Sequence, residues 1–366
     1  MKSSKQQRRD IAIDVDYKGS GIMEKEIIKK IIGAIRIQPK DVVLLQLWGE
    51  NEHLDLLDDF CYEVVKLGAT PLKYQHSKKY YQQIFVEASH TDMLYHEDFL
   101  KVFEPVTVVI DLMAYRPVIP AEDFPVEKMP AYRTYMGNLF KILGTKEKFV
   151  QLRLPTGMMA VEAGIDYESF KTSLLAAYNI DYEELKVMCN QTIEKLSNTS
   201  EVEIKTGEGH SLKLSIQDRK WLADSGEGDF PAGEIYIAPV EDSAEGTLFI
   251  EETFFDGIGY HDLKLYFEGG KLIKTNNDSF NRMIEEFPAN GNVLGELGIG
   301  LNKQIGQLIG YTVFDEKAYG TCHIALGMNQ MFGGENASPM HEDIVFKADV
   351  YFDGLLGVRE GKVIVT

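Results

Sequence analysis

The sequence predicts an α/β protein with two domains, and three observations support this prediction. In the first 200 residues, apolar runs of strand length alternate with stretches of helical period, which is typical of a mostly parallel sheet covered by helices. From Glu201 onward the pattern changes to short alternating strands. All candidate metal ligands lie in this second part. We therefore predict an N-terminal α/β domain over residues 1–200 and a β-rich α+β metal-binding, catalytic domain over residues 201–366.

The N-terminal elements follow from the spacing of apolar residues. In Met23–Ile37, isoleucines at helical spacing form one apolar face, and the pattern ends before Pro39. Further helical stretches are predicted at Leu54–Leu67, Tyr80–Ala88, Tyr132–Ile142 and Asp181–Leu196. Strands are predicted at Asp41–Trp48, Thr70–Tyr74, Val106–Met113 and Phe149–Leu154.

The C-terminal part has the alternation of half-buried strands. Short strands are predicted at Val202–Ile204, Leu212–Ile216, Ile235–Ile237 and Thr247–Ile250. Leu263–Phe267 and Lys271–Ile273 form a predicted hairpin around Gly269-Gly270, and Gly357–Val365 has a second hairpin-like pattern. One helix is predicted near Ser279–Glu286.

The chain carries a large negative charge. Its 366 residues include 38 basic and 57 acidic residues, which gives a formal net charge of −19. This charge would repel phosphate backbones and therefore argues against nucleic acid as a partner. Metal ions, in contrast, would offset several of the carboxylates.

The cysteines and the N-terminus predict a cytoplasmic protein. Cys61, Cys189 and Cys322 are an odd, widely separated set that does not suggest a disulfide framework. Met1–Asp10 is polar and basic, so we do not expect a secretory signal. No apolar run approaches the ~20 residues that span a bilayer, so no membrane association is predicted.

Several familiar chemistries have no motif in this sequence. No glycine-rich phosphate loop follows a predicted strand, and there is no H-E-x-x-H helix, G-x-S-x-G turn or cysteine pair with zinc spacing. The sequence offers a metal site of another kind.

Six candidate metal ligands are concentrated in the last third or so of the chain. His341 and Asp343 are two residues apart, so in a strand their side chains would share a face. His323 lies in Cys-His-Ile-Ala-Leu-Gly, a short apolar run that predicts a second strand. Two imidazoles and a carboxylate are a set that iron or zinc chemistry uses. The candidates are Glu234, Glu296, Glu316, His323, His341 and Asp343.

Each candidate also has a purely structural interpretation. His341 and Asp343 could face solvent at the start of a strand, and His323 could be a core histidine bonded to a backbone carbonyl. A carboxylate at Glu234 is ordinary if it faces solvent and costly if it is buried without a partner. For Glu296, spacing alone favours an exposed loop acid. Spacing therefore leaves both interpretations open.

Four motifs occur in an order that resembles a known family. They are Gly-Glu-Ile-Tyr-Ile-Ala-Pro at 233–239, Glu-Leu-Gly-Ile-Gly-Leu-Asn at 296–302, Phe-Asp-Glu-Lys-Ala before Cys-His-Ile-Ala-Leu-Gly at 314–327, and Ser-Pro-Met-His-Glu-Asp at 338–343. The chain resembles the thermophilic aminopeptidases, metallopeptidases of the aminopeptidase T and aminopeptidase S type. The resemblance extends over roughly residues 40 to 353.

The resemblance implies a function. It predicts a homodimeric aminopeptidase that releases N-terminal residues from short peptides, using a metal-bound water at a site with two divalent ions, which could be zinc, cobalt or manganese. The implied ligands are Glu234, Glu296, His323, His341 and Asp343, with Glu316 as the best match to a further glutamate. The resemblance does not identify the general base.

The sequence departs from the family pattern at three points. Glu316 lies two residues further from its histidine than in the family, and Gln330 occupies the position of a tyrosine near the active site. The loop between Met328 and Met340 is also shorter. These departures make a non-catalytic metal-binding relative one alternative.

A second alternative is an iron enzyme of related fold. The segment Glu241–Gly246, with Cys-His-Ile and His-x-Asp, also resembles ring-cleaving dihydroxypyridine dioxygenases, which hold one iron(II) with two histidines and one aspartate. Glu234 and Glu296 have no expected role in such a site and favour two ions instead. Asp242 and Glu245 are predicted to lie in a polar turn.

Overall fold

The computed structural model describes residues 21–91, 94–255, 257–359 and 361–365. The prediction for Met1–Asp10 lies outside these residues. The strands in the described ranges are β1 (Val42–Trp48), β2 (Thr70–Gln75), β3 (Val108–Met113), β4 (Lys148–Arg153), β5 (Glu201–Lys205), β6 (Ser211–Ser215), β7 (Leu222–Asp224), β8 (Asp229–Phe230), β9 (Glu234–Ile237), β10 (Glu245–Phe255), β11 (Ile258–Glu268), β12 (Lys271–Thr275), β13 (Leu294–Gly300), β14 (Cys322–Gly327), β15 (His341–Phe346), β16 (Asp349–Phe352), β17 (Leu355–Arg359) and β18 (Lys362–Val363).

The helices of the same ranges include the six that the apolar periods predict. The helices are α1 (Lys25–Ala34), α2 (Leu54–Lys66), α3 (Lys78–Glu87), α4 (Glu97–Leu100), α5 (Met129–Leu143), α6 (Gly157–Ala163), α7 (Tyr167–Tyr178), α8 (Tyr182–Leu196), α9 (Asp278–Glu285) and α10 (Thr312–Asp315). Each predicted strand and helix is confirmed, with ends that shift by a few residues. No helix of the described ranges is long and apolar enough to cross a membrane.

One compact unit contains the described residues up to Asn179 together with Gly226–Phe230. Its five strands form a parallel sheet in the order β2-β1-β3-β4-β8. Helix α1 buries its isoleucines, as the helical period predicts. The predicted parallel sheet covered by helices is therefore confirmed.

The second compact unit contains Ile180–Ser225 and the described residues from Pro231 onward. It has an eight-stranded sheet in the order β12-β11-β10-β6-β5-β16-β17-β18 and a five-stranded sheet in the order β15-β14-β13-β9-β7, and both are antiparallel. The predicted β-rich α+β architecture is confirmed. The domain boundary near residue 200 stays a prediction.

A buried acid lies in the middle of the parallel sheet. Asp111 on β3 is opposite Gln46 on β1, and Gln46 Nε2 donates a hydrogen bond to Asp111 Oδ1 at 2.5 Å. Gln46 in turn contacts His76 Nε2 through its Oε1, at 3.0 Å. Both Asp111 and Gln46 are fully buried. Burial raises the pKa of Asp111 to about 7, although the hydrogen bond from Gln46 acts in the opposite direction.

We expect this raised pKa to make stability depend on pH. Between pH ~4 and about 7 the native protein retains a proton on Asp111 that the unfolded chain has released. The contribution of Asp111 to the free energy of unfolding is therefore most favourable below pH ~4 and is lost as the pH rises toward about 7. Asp111→Asn keeps the acceptor for Gln46 and removes the buried charge. At pH 8 it should raise the free energy of unfolding by about 2–4 kcal/mol. Urea unfolding at pH 4 and pH 8 tests this, and an equal effect at both pH values would contradict it.

Candidate metal centre

The predicted ligands are carried by one face of the five-stranded sheet. On β13, Glu296 and Gly298 share a face because alternate side chains of a strand point the same way. Gly298 is opposite His323 on β14. Ala325 lies two residues further along β14. It is opposite Glu296 of β13 on one side and Asp343 of β15 on the other. The register therefore places two carboxylates and an imidazole side by side, next to small residues that leave them room.

The two remaining ligand strands continue this face. His341 begins β15, two residues before Asp343, and is opposite Gly327. Glu234 begins β9 and is opposite Gly300, the last residue of β13. His341 and Glu234 are thus each opposite a glycine. Because glycine has no side chain, the neighbouring strand leaves space for both of them.

These side chains form two groups of three that share Glu296. In the first, His323 Nε2 lies 3.3 Å from Glu234 Oε2 and 3.3 Å from Glu296 Oε1. In the second, His341 Nε2 lies 3.6 Å from Glu296 Oε2 and 3.9 Å from Asp343 Oδ1. Within each group the candidate ligand atoms lie within 4.8 Å of one another. Each oxygen of Glu296 thus faces a different histidine.

The interpretation of Glu296 as an exposed loop acid is wrong. It lies inside β13 and is 4% exposed. Spacing failed here because the glycines around Glu296 are typical of loops, whereas in this sheet they make room for side chains of neighbouring strands. A Cβ on Gly298 would meet His323 Nε2 at 2.0 Å.

The structure does not bring Glu316 into either group. Glu316 follows α10 and is buried, and its Oε1 lies 2.9 Å from Lys317 Nζ. The same ammonium forms an ion pair with Glu234 Oε1. Sequence reasoning missed Lys317. The available signal was its position directly after a predicted ligand in Phe-Asp-Glu-Lys-Ala.

Buried atoms at the centre fit a cation. Among the described residues, Glu234 Oε2 and Asp343 Oδ1 have no hydrogen-bond partner. A buried carboxylate oxygen without a donor is costly, and a metal ion would remove that cost. Imidazole nitrogens and carboxylate oxygens suit zinc, cobalt or manganese. The residues therefore fit one or more divalent cations.

A backbone contact fixes the orientation of His341. Its Nδ1 lies 2.8 Å from Met328 O. Because a carbonyl oxygen only accepts, Nδ1 carries the proton and donates it. In the neutral imidazole the lone pair is then on Nε2, which faces Glu296 and Asp343. This is the arrangement commonly found in metal-binding histidines.

Burial and neighbouring charges shift the pKa values of three groups at the centre. Burial raises the pKa of Glu234 to about 7, although Lys317 and His323 oppose the increase. Burial, together with the neighbouring glutamates, also raises the pKa of Asp343 well above its usual range. Burial alone would lower the pKa of His323, but the carboxylates around it, Glu296 first, outweigh burial and raise it.

An aromatic wall stands beside His341. The Phe332 ring lies 5.2 Å from the His341 ring and 5.3 Å from the Tyr236 ring, the latter edge to face. Phe332 ends a short 3-10 turn that begins at Gln330, and Gln330 is exposed. The aromatic side chain that this turn presents to the centre is therefore Phe332, while Gln330 occupies the position where the family has tyrosine.

The loop over residues 328–340 is anchored by Glu241. Asn329 Nδ2 and Glu335 N both donate to Glu241 Oε1, at 3.0 and 2.6 Å. Arg219 Nη2 donates to the other oxygen of Glu241 at 2.6 Å. Glu241, part of the dioxygenase-like segment, thus holds the loop in place.

Three residues near the motifs belong to neither ligand group. Cys322 is fully buried on the opposite side of β14 from His323, and burial raises the pKa of its thiol above the usual range. Asp242 and Glu245 are exposed, and Glu245 Oε1 accepts a hydrogen bond from Gly269 N at 2.7 Å. The predicted polar turn is confirmed for Asp242, whereas Glu245 is the first residue of β10.

Two solved structures share this fold. Wild-type AmpT from Thermus thermophilus aligns with a TM-score of 0.67 and 17% identity, covering 93% of this chain and 99% of its own. The 2,5-dihydroxypyridine dioxygenase from Pseudomonas putida aligns with a TM-score of 0.59 and 14% identity, covering 93% and 97%. At these identities the likeness concerns the fold alone.

Sequence comparison is more specific. No curated protein matches the chain. The model of the thermophilic metalloprotease (M29) family, however, matches residues 30–357, which include all six candidate ligands. The chain belongs to the thermophilic metalloprotease (M29) family and is a metal-dependent hydrolase.

Proposed function

We propose that this metalloprotease is an aminopeptidase that releases N-terminal residues from short peptides. Its centre would hold two divalent ions, zinc, cobalt or manganese, on Glu234, Glu296, His323, His341 and Asp343. The observation that carries the proposal is the pair of ligand groups that share Glu296. Glu296, with one oxygen toward each histidine, would contribute to holding both ions.

The residues of this centre bind and orient rather than react. Bound divalent ions would supply a water of lowered pKa as nucleophile and a Lewis acid for the scissile carbonyl. His341 is held by Met328 O in the tautomer that can bind a cation. Phe332 and Tyr236 form an apolar wall that would limit water beside the substrate.

An iron(II) dioxygenase is the second candidate. The likeness in fold to the Pseudomonas putida enzyme favours it, and His323, His341 and Asp343 would be the iron ligands. Glu234 and Glu296 speak against it, because both carboxylates are buried in the centre and a mononuclear iron site does not need them.

A cytoplasmic location and a homodimer are further parts of the proposal. In support of a reducing compartment, Cys61, Cys189 and Cys322 are all free and buried. The dimer rests on the resemblance to the thermophilic aminopeptidases. Sedimentation velocity would give about twice the chain mass of 41.4 kDa for a dimer, and a single species of the chain mass would contradict it.

We expect peptide cleavage that depends on metal and on a free amino terminus. Protein loaded with zinc, cobalt or manganese should release N-terminal residues from di- and tripeptides without added oxygen or reductant, as measured by mass spectrometry. Chelator should stop the release and metal should restore it. Acetylated peptides should not be cleaved, because an aminopeptidase must bind the free amine.

Two outcomes would contradict the aminopeptidase. One is inactivity on a broad panel of peptides with two ions bound per chain. The other is one bound iron together with oxygen-dependent ring cleavage of a dihydroxypyridine, which would favour the dioxygenase. His341→Ala serves as the negative control in both assays.

A further inference from the structure

The centre contains a buried lysine. Lys317 is 3% exposed, and lysine is almost never fully buried unless its charge is paired. Its ammonium forms ion pairs with Glu234 Oε1 and with Glu316 Oε1, the latter at 2.9 Å. A fixed positive charge thus lies against a carboxylate that belongs to the first ligand group.

Backbone packing holds Lys317 in this position. Its carbonyl accepts a hydrogen bond from Asn302 N at 2.8 Å, and its own N–H donates to Phe314 O at 3.2 Å. Thr321 Oγ1 donates to the carbonyl of Ala318 at 2.8 Å. A Cβ on Gly300 would meet Ala318 O at 2.0 Å, so this segment packs directly on β13. The lysine is part of the folded framework of the centre.

We propose that the Lys317 ammonium stays paired with Glu234, so that the two positions of the centre bind divalent ions with unequal affinity. The position at Glu296, His341 and Asp343 fills first. The position at Glu234, Glu296 and His323 binds weakly, because one Glu234 oxygen is already paired with Lys317 and like charges repel in a buried site.

This proposal deepens the proposed function, on which the assignment of the ligands rests. It also gives Glu316 a role, which is to pair with the Lys317 ammonium rather than to bind metal. Glu316 is one of two carboxylates that hold the ammonium, and its negative charge offsets that of Lys317. The structure thus assigns Lys317 as a positioning residue that acts through Glu234.

Metal titration of the apo protein tests the proposal without an activity assay. Chelator-treated wild type should bind Co²⁺ in two phases by calorimetry, one ion tightly and the second at least about tenfold more weakly. Lys317→Met keeps the side-chain length and removes the charge. It should tighten the second phase at least about tenfold, with two ions per chain after dialysis by elemental analysis.

Lys271→Met is the matched control, because Lys271 is exposed on β12 and the change removes one positive charge elsewhere. It should leave both phases unchanged. If Lys317→Met does not fold, Lys317→Met combined with Glu316→Gln removes both charges of the pair. It should tighten the second phase by a smaller factor, because Glu234 is released from its ion pair but the negative charge of Glu316 is lost as well. Circular dichroism establishes which variant is folded.

The outcomes separate this proposal from the aminopeptidase. Two equal sites in wild type, or a second phase that neither Lys317 variant strengthens, would overturn the role of Lys317. Unequal sites that become equal in Lys317→Met support it. A protein with that binding pattern and no activity on peptides would contradict only the aminopeptidase.

Discussion

Glu296→Gln is expected to remove metal from both positions of the centre. Glu296 is the one residue common to the two ligand groups, with Oε1 toward His323 and Oε2 toward His341. Glutamine has nearly the same volume, so the strand can keep its packing while the charge is lost. Changes outside the ligand shell typically cost 10–100-fold in metal affinity, so we expect more than about 100-fold here and loss of peptide cleavage.

Elemental analysis after dialysis and kcat/KM on a tripeptide would measure these effects. Glu268→Gln is the control, because Glu268 is an exposed acid at the end of β11. It should retain both metal and activity. Glu296→Gln protein that keeps two ions and normal turnover would show that the carboxylate is structural, and a melting temperature lower by many degrees would point the same way.

Gly298→Ala is expected to have an effect of similar size through one added methyl group. The Cβ would lie 2.0 Å from Nε2 and 2.2 Å from Cε1 of His323, distances that no real contact permits. Gly298 has no positive φ, so alanine fits the backbone and the clash is purely one of space. Either His323 leaves its place beside Glu234 or β13 and β14 separate.

Both responses should weaken metal binding by more than about 100-fold, as the loss of a ligand does. They are distinguished by their effect on the melting temperature of the variant. Displacement of His323 alone leaves the melting temperature near that of wild type, whereas separation of the strands lowers it. Gly306→Ala is the control, since a Cβ there meets nothing within 4 Å. Unchanged metal affinity in Gly298→Ala would contradict the position of His323.

The fold could be read from local patterns. Helical and alternating periods predicted six of the helices (α1, α2, α3, α5, α8 and α9) and most of the strands, because each period depends on neighbours in the chain. They did not predict β13, which carries Glu296. The same rule predicted that His341 and Asp343 share a face, and β15 confirms it. Their role as metal ligands stays a prediction, supported by the geometry of the two groups.

What could not be predicted depends on register between distant strands. The burial of Glu296 follows from its position opposite Ala325, and no spacing within the Glu-Leu-Gly-Ile-Gly motif contains that pairing. Lys317 was missed for the same reason. A lysine in a short loop is usually exposed, and only its position beside Glu234, far away in sequence, explains its burial.

The strand order of the five-stranded sheet also has a consequence for synthesis. β9 carries Glu234, but β10 to β12 and α9 are made before β13, and β15 follows still later. A growing chain that has not reached β15 lacks His341 and Asp343. Closing so long a loop costs conformational entropy that only the finished sheet can repay. A nascent chain therefore lacks part of the proposed metal centre until β15 has been made and the sheet is complete.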